Sequence, residues 1–167
     1  MTPRRILVVG AAGMLGHVLL SDLSARSGLE VHGTVRTLEG LDRWFPPDLL
    51  GRIRGGVDAE RFDTVLRALE AVRPDVVVNC IGVVKQIPAA KDPVVSISVN
   101  SLFPHLLARA CTKAGARLVH VSTDCVFSGE QGNYRESDRP DARWRKIADV
   151  GRPGDKIERY RLYERQK

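Results

Sequence analysis

Three glycines near the N-terminus have a spacing that suits phosphate binding. Gly10, Gly13 and Gly16 follow the apolar run Ile6–Val9 as G-x-x-G-x-x-G. At a strand-to-helix turn, the first glycine permits the bend, the second lets a pyrophosphate approach the backbone, and the third lets the helix pack closely on the strand. Free N–H groups at the helix N-terminus would then face the anion. The pattern predicts a dinucleotide-binding turn, and a tight turn without any ligand is the alternative.

The residues at the end of the second predicted strand bear on which dinucleotide is bound. An acidic residue there holds the ribose 2′-hydroxyl in NAD enzymes, whereas a guanidinium beside hydroxyl groups suits the 2′-phosphate of NADP. This chain has Thr34, Arg36 and Thr37 at that point. The sequence therefore favours NADPH, with NADH as the alternative cofactor. A solvated surface side chain is the alternative role for Arg36.

Three further segments carry polar groups or glycine at predicted strand ends or inside a helix. Asp58 suits hydrogen bonding to the adenine amino group, and it equally suits capping a helix that we predict to begin at Ala59. Cys80–Gly82 ends a strand, where glycine lets the backbone approach a cofactor or adopt a positive φ. Asn100 lies in an apolar helix, and we expect it to bond backbone near the site or to lie on the surface. The predicted cofactor contacts are Gly10, Gly13, Met14, Leu15, Gly16, Arg36, Asp58, Cys80, Ile81, Gly82 and Asn100.

Hydroxyl and charged groups that suit a substrate lie at the end of the last predicted strand and on a nearby loop. Ser122, Thr123 and Asp124 follow each other directly. A hydroxyl here can donate to a substrate carbonyl and stabilise developing negative charge, although it can also serve only as a cap or turn. Lys85 lies on a loop from which it can reach a phosphate or a sugar. We therefore predict Lys85, Ser122 and Asp124 as substrate contacts.

Strand and helix patterns alternate along the chain. The predicted strands are Arg4–Gly10, Leu29–Val35, Ile53–Val57, Val76–Cys80 and Arg117–Ser122. The predicted helices are Gly13–Ala25, Ala59–Val72 and Pro93–Gly115. Apolar strands between helices indicate a parallel sheet that is covered on both faces. The predicted fold class is α/β, a doubly wound parallel sheet, and its site residues lie at the carboxyl edge of the strands.

Composition limits the remaining possibilities. The 167-residue chain has a net charge of +6, and the basic excess is concentrated towards the C-terminus. We predict a domain over 1–142 and a basic tail of uncertain structure over 143–167. Its three cysteines have no metal-ligand spacing, so we expect no metal site. No apolar run looks long enough to span a membrane, and the tail has no nucleic-acid motif, so we expect a cytoplasmic protein that binds neither.

The segment after residue 118 resembles a known family. Val119–Gly129 reads VHVSTDCVFSG, and Gly132–Glu136 follows as GNYRE. These residues, together with the glycine turn and the Val99–Ser101 segment, resemble the extended short-chain dehydrogenase/reductases of the dTDP-4-dehydrorhamnose reductase-like branch. The resemblance covers about residues 4–142. It implies an NAD(P)-binding Rossmann fold and NADPH-dependent reduction of a keto group on a nucleotide-activated deoxysugar used in cell-surface polysaccharide synthesis.

The resemblance also assigns catalytic roles. Thr123 matches the residue that polarises the carbonyl, and the family adds a proton-donating Tyr with a Lys one helical turn later. No Tyr occurs in 143–150, and the later pair Tyr163 and Lys167 is either a displaced equivalent or a chance spacing. We therefore expect a family member that lacks its C-terminal part, is marginally stable or associates, and leaves catalysis in question. A non-catalytic, cofactor-dependent binding or regulatory protein is the alternative, and homo-oligomerisation stays open.

Overall fold

The computed structural model describes residues 2–84, 92–121, 132–135 and 137–139. Contacts divide the chain into two units, Met1–Val121 and Ser122–Lys167. All regular elements described here belong to the first unit. In the second unit, the Arg135 N–H donates to the Asp138 carboxylate at 2.7 Å. The predicted domain boundary at residue 142 lies outside the described residues.

Five parallel strands form one sheet in the order β3-β2-β1-β4-β5. The strands are β1 (Arg4–Val9), β2 (Leu29–Thr34), β3 (Ile53–Arg54), β4 (Val76–Asn79) and β5 (Arg117–His120). The order reverses between β1 and β4, which is the switch point of a doubly wound sheet. The predicted α/β fold of Rossmann type is confirmed.

The helices cover both faces of this sheet. They are α1 (Met14–Ser24), α2 (Pro47–Leu50), α3 (Phe62–Val72), α4 (Pro93–Ile97) and α5 (Phe103–Ala114). A 3₁₀ turn, Leu41–Arg43, precedes α2, and a π-helical segment, Ser98–Leu102, joins α4 to α5. The single long helix predicted from residue 93 is therefore continuous, but it contains a π segment that the apolar pattern did not indicate.

Two apolar clusters hold the layers together. On one face, Leu7, Val9 and Val77 of the sheet pack with buried residues of α3 and α5, including Val65, Leu69, Phe103 and Leu107. On the other face, Val8 and Val31 pack with Leu20 of α1 and with Leu41, Phe45 and Leu49 of the segment before β3. Burial of these side chains supplies the main force that fixes the carboxyl edge of the sheet.

Two predicted boundaries differ from the structure for local reasons. The third strand is shorter than predicted because Gly55 and Gly56 follow it, and the Gly56 N–H turns back to the Arg36 carbonyl at 3.0 Å. Helix α3 begins at Phe62 rather than Ala59. The Thr64 hydroxyl donates to the Asp58 and Arg61 carbonyls and so holds 58–61 in a turn instead.

Several large apolar side chains at the start of α1 face outward. Met14 is 86% exposed, and Leu15 and Val18 are also exposed, whereas Gly16 and Leu20 are buried. The helix meets the sheet through its glycine, and this close approach rotates the larger side chains of the first turn outward. Their exposure places apolar surface directly beside the N-terminus of α1.

One described helix differs from the expectation that no apolar run is long enough to span a membrane. Among the described residues, Pro93–Ala114 is long and apolar enough to cross a membrane by length and composition alone. Core helices pass the same test, and Phe103, Leu107 and Cys111 of this stretch are buried in the first apolar cluster. With 28% of this window buried, we interpret it as a helix that packs one side on the sheet.

Candidate functional site

The turn between β1 and α1 is built around two glycines that the fold requires. Gly10 has a φ of +87°, and a Cβ there would lie 2.8 Å from the Ile81 side chain. A Cβ on Gly16 would collide with the Gly10 carbonyl oxygen and lie 2.9 Å from the Gly10 carbonyl carbon. The N–H groups of Gly10 and Ala11 both donate to the Thr34 carbonyl, at 3.1 and 2.9 Å. The turn is therefore fixed against the end of β2.

Gly13 is different, because no neighbouring atom among the described residues requires it to be a glycine. Its φ of −75° suits any residue, and within the described part of the chain a Cβ there would meet only the Gly10 carbonyl oxygen, at 3.4 Å. Because Gly13 has no side chain, the backbone at the start of α1 is accessible. A pyrophosphate needs such close access to the backbone.

The N-terminus of α1 carries a partial positive charge that its own first turn does not compensate. Gly13 is its N-cap and provides no side-chain hydrogen bond, and the first turn contains no acidic residue. The first N–H groups of a helix have no acceptor within the helix, and the macrodipole adds to their attraction for an anion. This helix end is suited to bind a phosphate group.

The end of β2 places basic groups near the turn. Arg36 is exposed, and within the described part of the chain its guanidinium has neither a hydrogen bond nor an ion pair. Thr34 is buried, and the Thr37 hydroxyl accepts the Glu39 N–H at 3.2 Å. Sequence reasoning missed Arg54, which is exposed and lies opposite Thr34 in the β2–β3 register. Its place at the end of β3, beside β2, could have indicated that Arg54 belongs to the site.

Asp58 does not cap α3, so that alternative is wrong. The N-cap of α3 is Arg61, whose side chain makes no capping bond. Instead, an Asp58 carboxylate oxygen accepts the Glu60 N–H at 3.0 Å, and the Asp58 N–H donates to the Thr64 hydroxyl oxygen at 2.9 Å. This fixes Asp58 after β3. Its contact with an adenine stays a prediction.

Two asparagines hold the segment that follows β4. Asn79 is fully buried, and its side-chain oxygen accepts the Ile81 N–H at 3.0 Å while its amide donates to His120 Nδ1 at 3.1 Å. Asn100 pairs with both backbone groups of Val83, accepting the N–H at 2.8 Å and donating to the carbonyl at 2.9 Å. Asn100 bonds backbone and is also exposed, so both of its predicted positions apply. The role of Asn79 was missed, because a polar residue in an apolar strand gives no sign of its partner.

The remaining residues of this segment lie close to the glycine turn or to Asn100. The Ile81 side chain lies against Gly10, and a Cβ on Gly82 would meet, among the described residues, only Asn100 Oδ1, at 3.7 Å. Burial raises the pKa of the Cys80 thiol above its usual range, so Cys80 stays protonated at neutral pH. In the described part of the chain, no cluster of side chains suits a metal ion.

The predicted catalytic and substrate-binding residues cannot be placed in this site. Thr123, Tyr163, Lys167, Lys85, Ser122 and Asp124 all lie outside the described residues. The described site therefore consists of the predicted cofactor contacts, which come together at the carboxyl edge of β1, β2 and β4.

Comparison with known proteins gives a family. Residues 4–143 match the family described as RmlD substrate binding domain. The chain is 35% identical over 136 residues to a dTDP-4-dehydrorhamnose reductase of Streptomyces griseus, covering 81% of this chain and 38% of that protein.

Solved structures agree with this assignment. A hypothetical dTDP-4-dehydrorhamnose reductase from Sulfolobus tokodaii is 29% identical with a TM-score of 0.62, over 82% of this chain and 45% of that one. A Thermus thermophilus UDP-glucose 4-epimerase, solved with NAD, is 31% identical with a TM-score of 0.64, over 82% and 42%. The chain spans less than half the length of each of these proteins. The match over residues 4–143 shows that the chain belongs to the RmlD substrate binding domain family.

Proposed function

We propose that the described fold is the dinucleotide-binding part of a nucleotide-sugar reductase, with NADPH as its cofactor. The observation that carries this proposal is Gly13, which keeps the N-terminus of α1 open although no neighbour in the described part of the chain requires a glycine there. The pyrophosphate would lie against this helix end, and Gly10 and Gly16 would hold the turn that presents it.

The choice of NADPH depends on Arg36. Its exposed guanidinium is available for a 2′-phosphate, and Arg54 at the end of β3 adds a second positive charge nearby. The related epimerase was solved with NAD, so family membership alone does not decide between the two cofactors. The side chains after β2 support NADPH.

The proposed reaction is reduction of a keto group on a dTDP-linked deoxysugar. NADPH, when bound, supplies the hydride that the carbonyl carbon receives. Thr123 would donate a hydrogen bond to the carbonyl oxygen, which gains a proton as the hydride arrives. If Tyr163 and Lys167 are the displaced equivalent of the family's pair, Tyr163 supplies that proton and Lys167 assists it; if their spacing is chance, catalysis is lost. The protein would work in the cytoplasm with the nucleotide sugar as its partner.

Titration with NADPH and NADH, followed by nicotinamide fluorescence, tests cofactor binding. We expect saturable binding of both, with NADPH bound more tightly. Arg36→Ser should weaken NADPH binding about tenfold or more, because a charged hydrogen bond is lost, and should leave NADH unchanged. Arg109→Ser, an exposed arginine on α5, is the matched control and should change neither. Absence of binding to either dinucleotide would contradict the proposal.

Turnover is a separate question with its own experiment. Reduction of a dTDP-4-keto-6-deoxysugar by NADPH, measured with the wild type and with Tyr163→Phe, shows whether that tyrosine donates the proton. Loss of turnover in Tyr163→Phe, with NADPH binding retained, supports its catalytic role. NADPH binding without turnover in the wild type would instead support a non-catalytic binding protein.

A further inference from the structure

The hydroxyl group of Thr34 has an unusual environment. Thr34 is 1% exposed, and among the described residues its Oγ1 has no hydrogen-bond partner. Buried hydroxyls in folded proteins nearly always find a partner, because an unpaired one has lost its hydration without compensation. Valine has the same shape and a high preference for strands, so packing alone does not explain a threonine at this position.

Thr34 lies where the glycine turn meets the sheet. It is the last residue of β2, and its carbonyl accepts the N–H groups of both Gly10 and Ala11. In the β1–β2 register it lies opposite Val9, whose side chain belongs to the face covered by α3. The neighbouring Gly33 faces Ala11 and Leu20 on the other side, so strand alternation places the Thr34 side chain on the α3 face.

A second buried and unpaired hydroxyl provides a comparison. Ser24 Oγ also lacks a partner among the described residues. Ser24 is the last residue of the 11-residue helix α1, about 15 Å along the helix from the glycine turn. Both hydroxyls lack a hydrogen-bond partner among the described residues, but only Thr34 lies beside the candidate site.

We propose that Thr34 is a positioning residue for the dinucleotide. When the dinucleotide binds, the Thr34 hydroxyl forms a hydrogen bond towards it. Because Oγ1 is covered, the bond reaches the adenosine ribose through one enclosed water or after a small local shift. This inference rests on the proposed function, and it concerns the part of the ligand that NADPH and NADH share.

Isosteric substitution tests the inference in the full chain. In Thr34→Val the unpaired hydroxyl is gone, so the melting temperature without ligand should be equal to or above that of the wild type. The Kd values for NADPH and NADH, and for ADP as the adenosine-end probe, should each rise about five- to tenfold. Arg36→Ser should affect only NADPH, so the two residues have distinct signatures.

Further variants separate the hydroxyl from side-chain size. Thr34→Ser and Thr34→Ala both lose the methyl group, and only the serine keeps the hydroxyl, so only the serine should bind nearly as tightly as the wild type. Ser24→Ala should leave all three Kd values unchanged. Equal Kd values for the wild type and Thr34→Val, or for the Ser and Ala variants, would overturn the inference while leaving the proposed function intact. A wild type that binds no dinucleotide would overturn both.

Discussion

Gly16 is the residue at which α1 and the β1–α1 turn come closest. A methyl group there would press on the carbonyl of Gly10, which is backbone and has no room to move without separating the helix from the strand. We expect Gly16→Ala to lower the free energy of unfolding by about 3 kcal/mol or more, as in severe overpacking. Denaturant unfolding followed by circular dichroism measures this.

The matched control for that substitution is Gly51→Ala. Gly51 follows α2 with an ordinary φ of −61°, and the nearest atom to an added Cβ lies at 3.7 Å. We expect a change within about 0.5 kcal/mol for this exposed position. Similar losses of unfolding free energy in both variants would show that the fold does not depend on the close contact between Gly16 and the Gly10 carbonyl.

Single residues differ in how far their roles can be predicted from the sequence. The role of Gly16 follows from a local pattern, because the Gly10 carbonyl that constrains it lies six residues away. The part played by Asn79 depends on His120, and that of Asn100 on Val83, 41 and 17 positions away. Only the folded chain shows such partners.

At the scale of elements, the π segment Ser98–Leu102 connects a helix to the loop after β4. It carries Asn100, whose side chain forms hydrogen bonds with both the N–H and the carbonyl of Val83, as the backbone of a neighbouring strand would. We expect Asn100→Leu to remove both bonds, to increase hydrogen exchange at the Val83 amide, and to weaken NADPH binding several-fold. Asn100→Asp keeps the acceptor and loses the donor, so its amide protection should be intermediate. Unchanged exchange in Asn100→Leu would show that the pair does not hold this loop.

Elements were predictable where burial is continuous along the chain. The apolar runs of β1 and β4 and the glycine that ends α5 made those elements evident. The 3₁₀ turn and α2 were missed, because they are short, flank Pro46–Pro47 and are stabilised mainly by tertiary burial of Phe45 and Leu49. Helix α3 was extended too far because the turn at Asp58 depends on Thr64, which lies inside the helix itself.

For the whole molecule, ligand binding should appear as thermal stability. A ligand at 100 times its Kd stabilises the folded state by about 2.7 kcal/mol, which for a chain of this size raises Tm by about 5–10 °C. We expect this shift with NADPH in the wild type, measured by scanning calorimetry.

Gly13→Ala is the control for the melting experiment. The added Cβ fits the fold, so Tm without ligand should change little, but it obstructs the open helix end and should remove most of the NADPH-induced shift. A full shift in Gly13→Ala would argue against pyrophosphate binding at this turn.

The central place of β1 in the sheet also affects how the chain folds. β1 pairs with β2 across a short connection, whereas its pairing with β4 joins residues about 70 positions apart, as between Arg5 and Asp75. Closing the longer loop costs more entropy, so we expect the β1–α1–β2 unit to form early and β4 to dock later. During synthesis on the ribosome, the glycine turn would then form before β4, which carries Asn79, has emerged. The site would be complete only when β4 and the segment after it pack beside the turn.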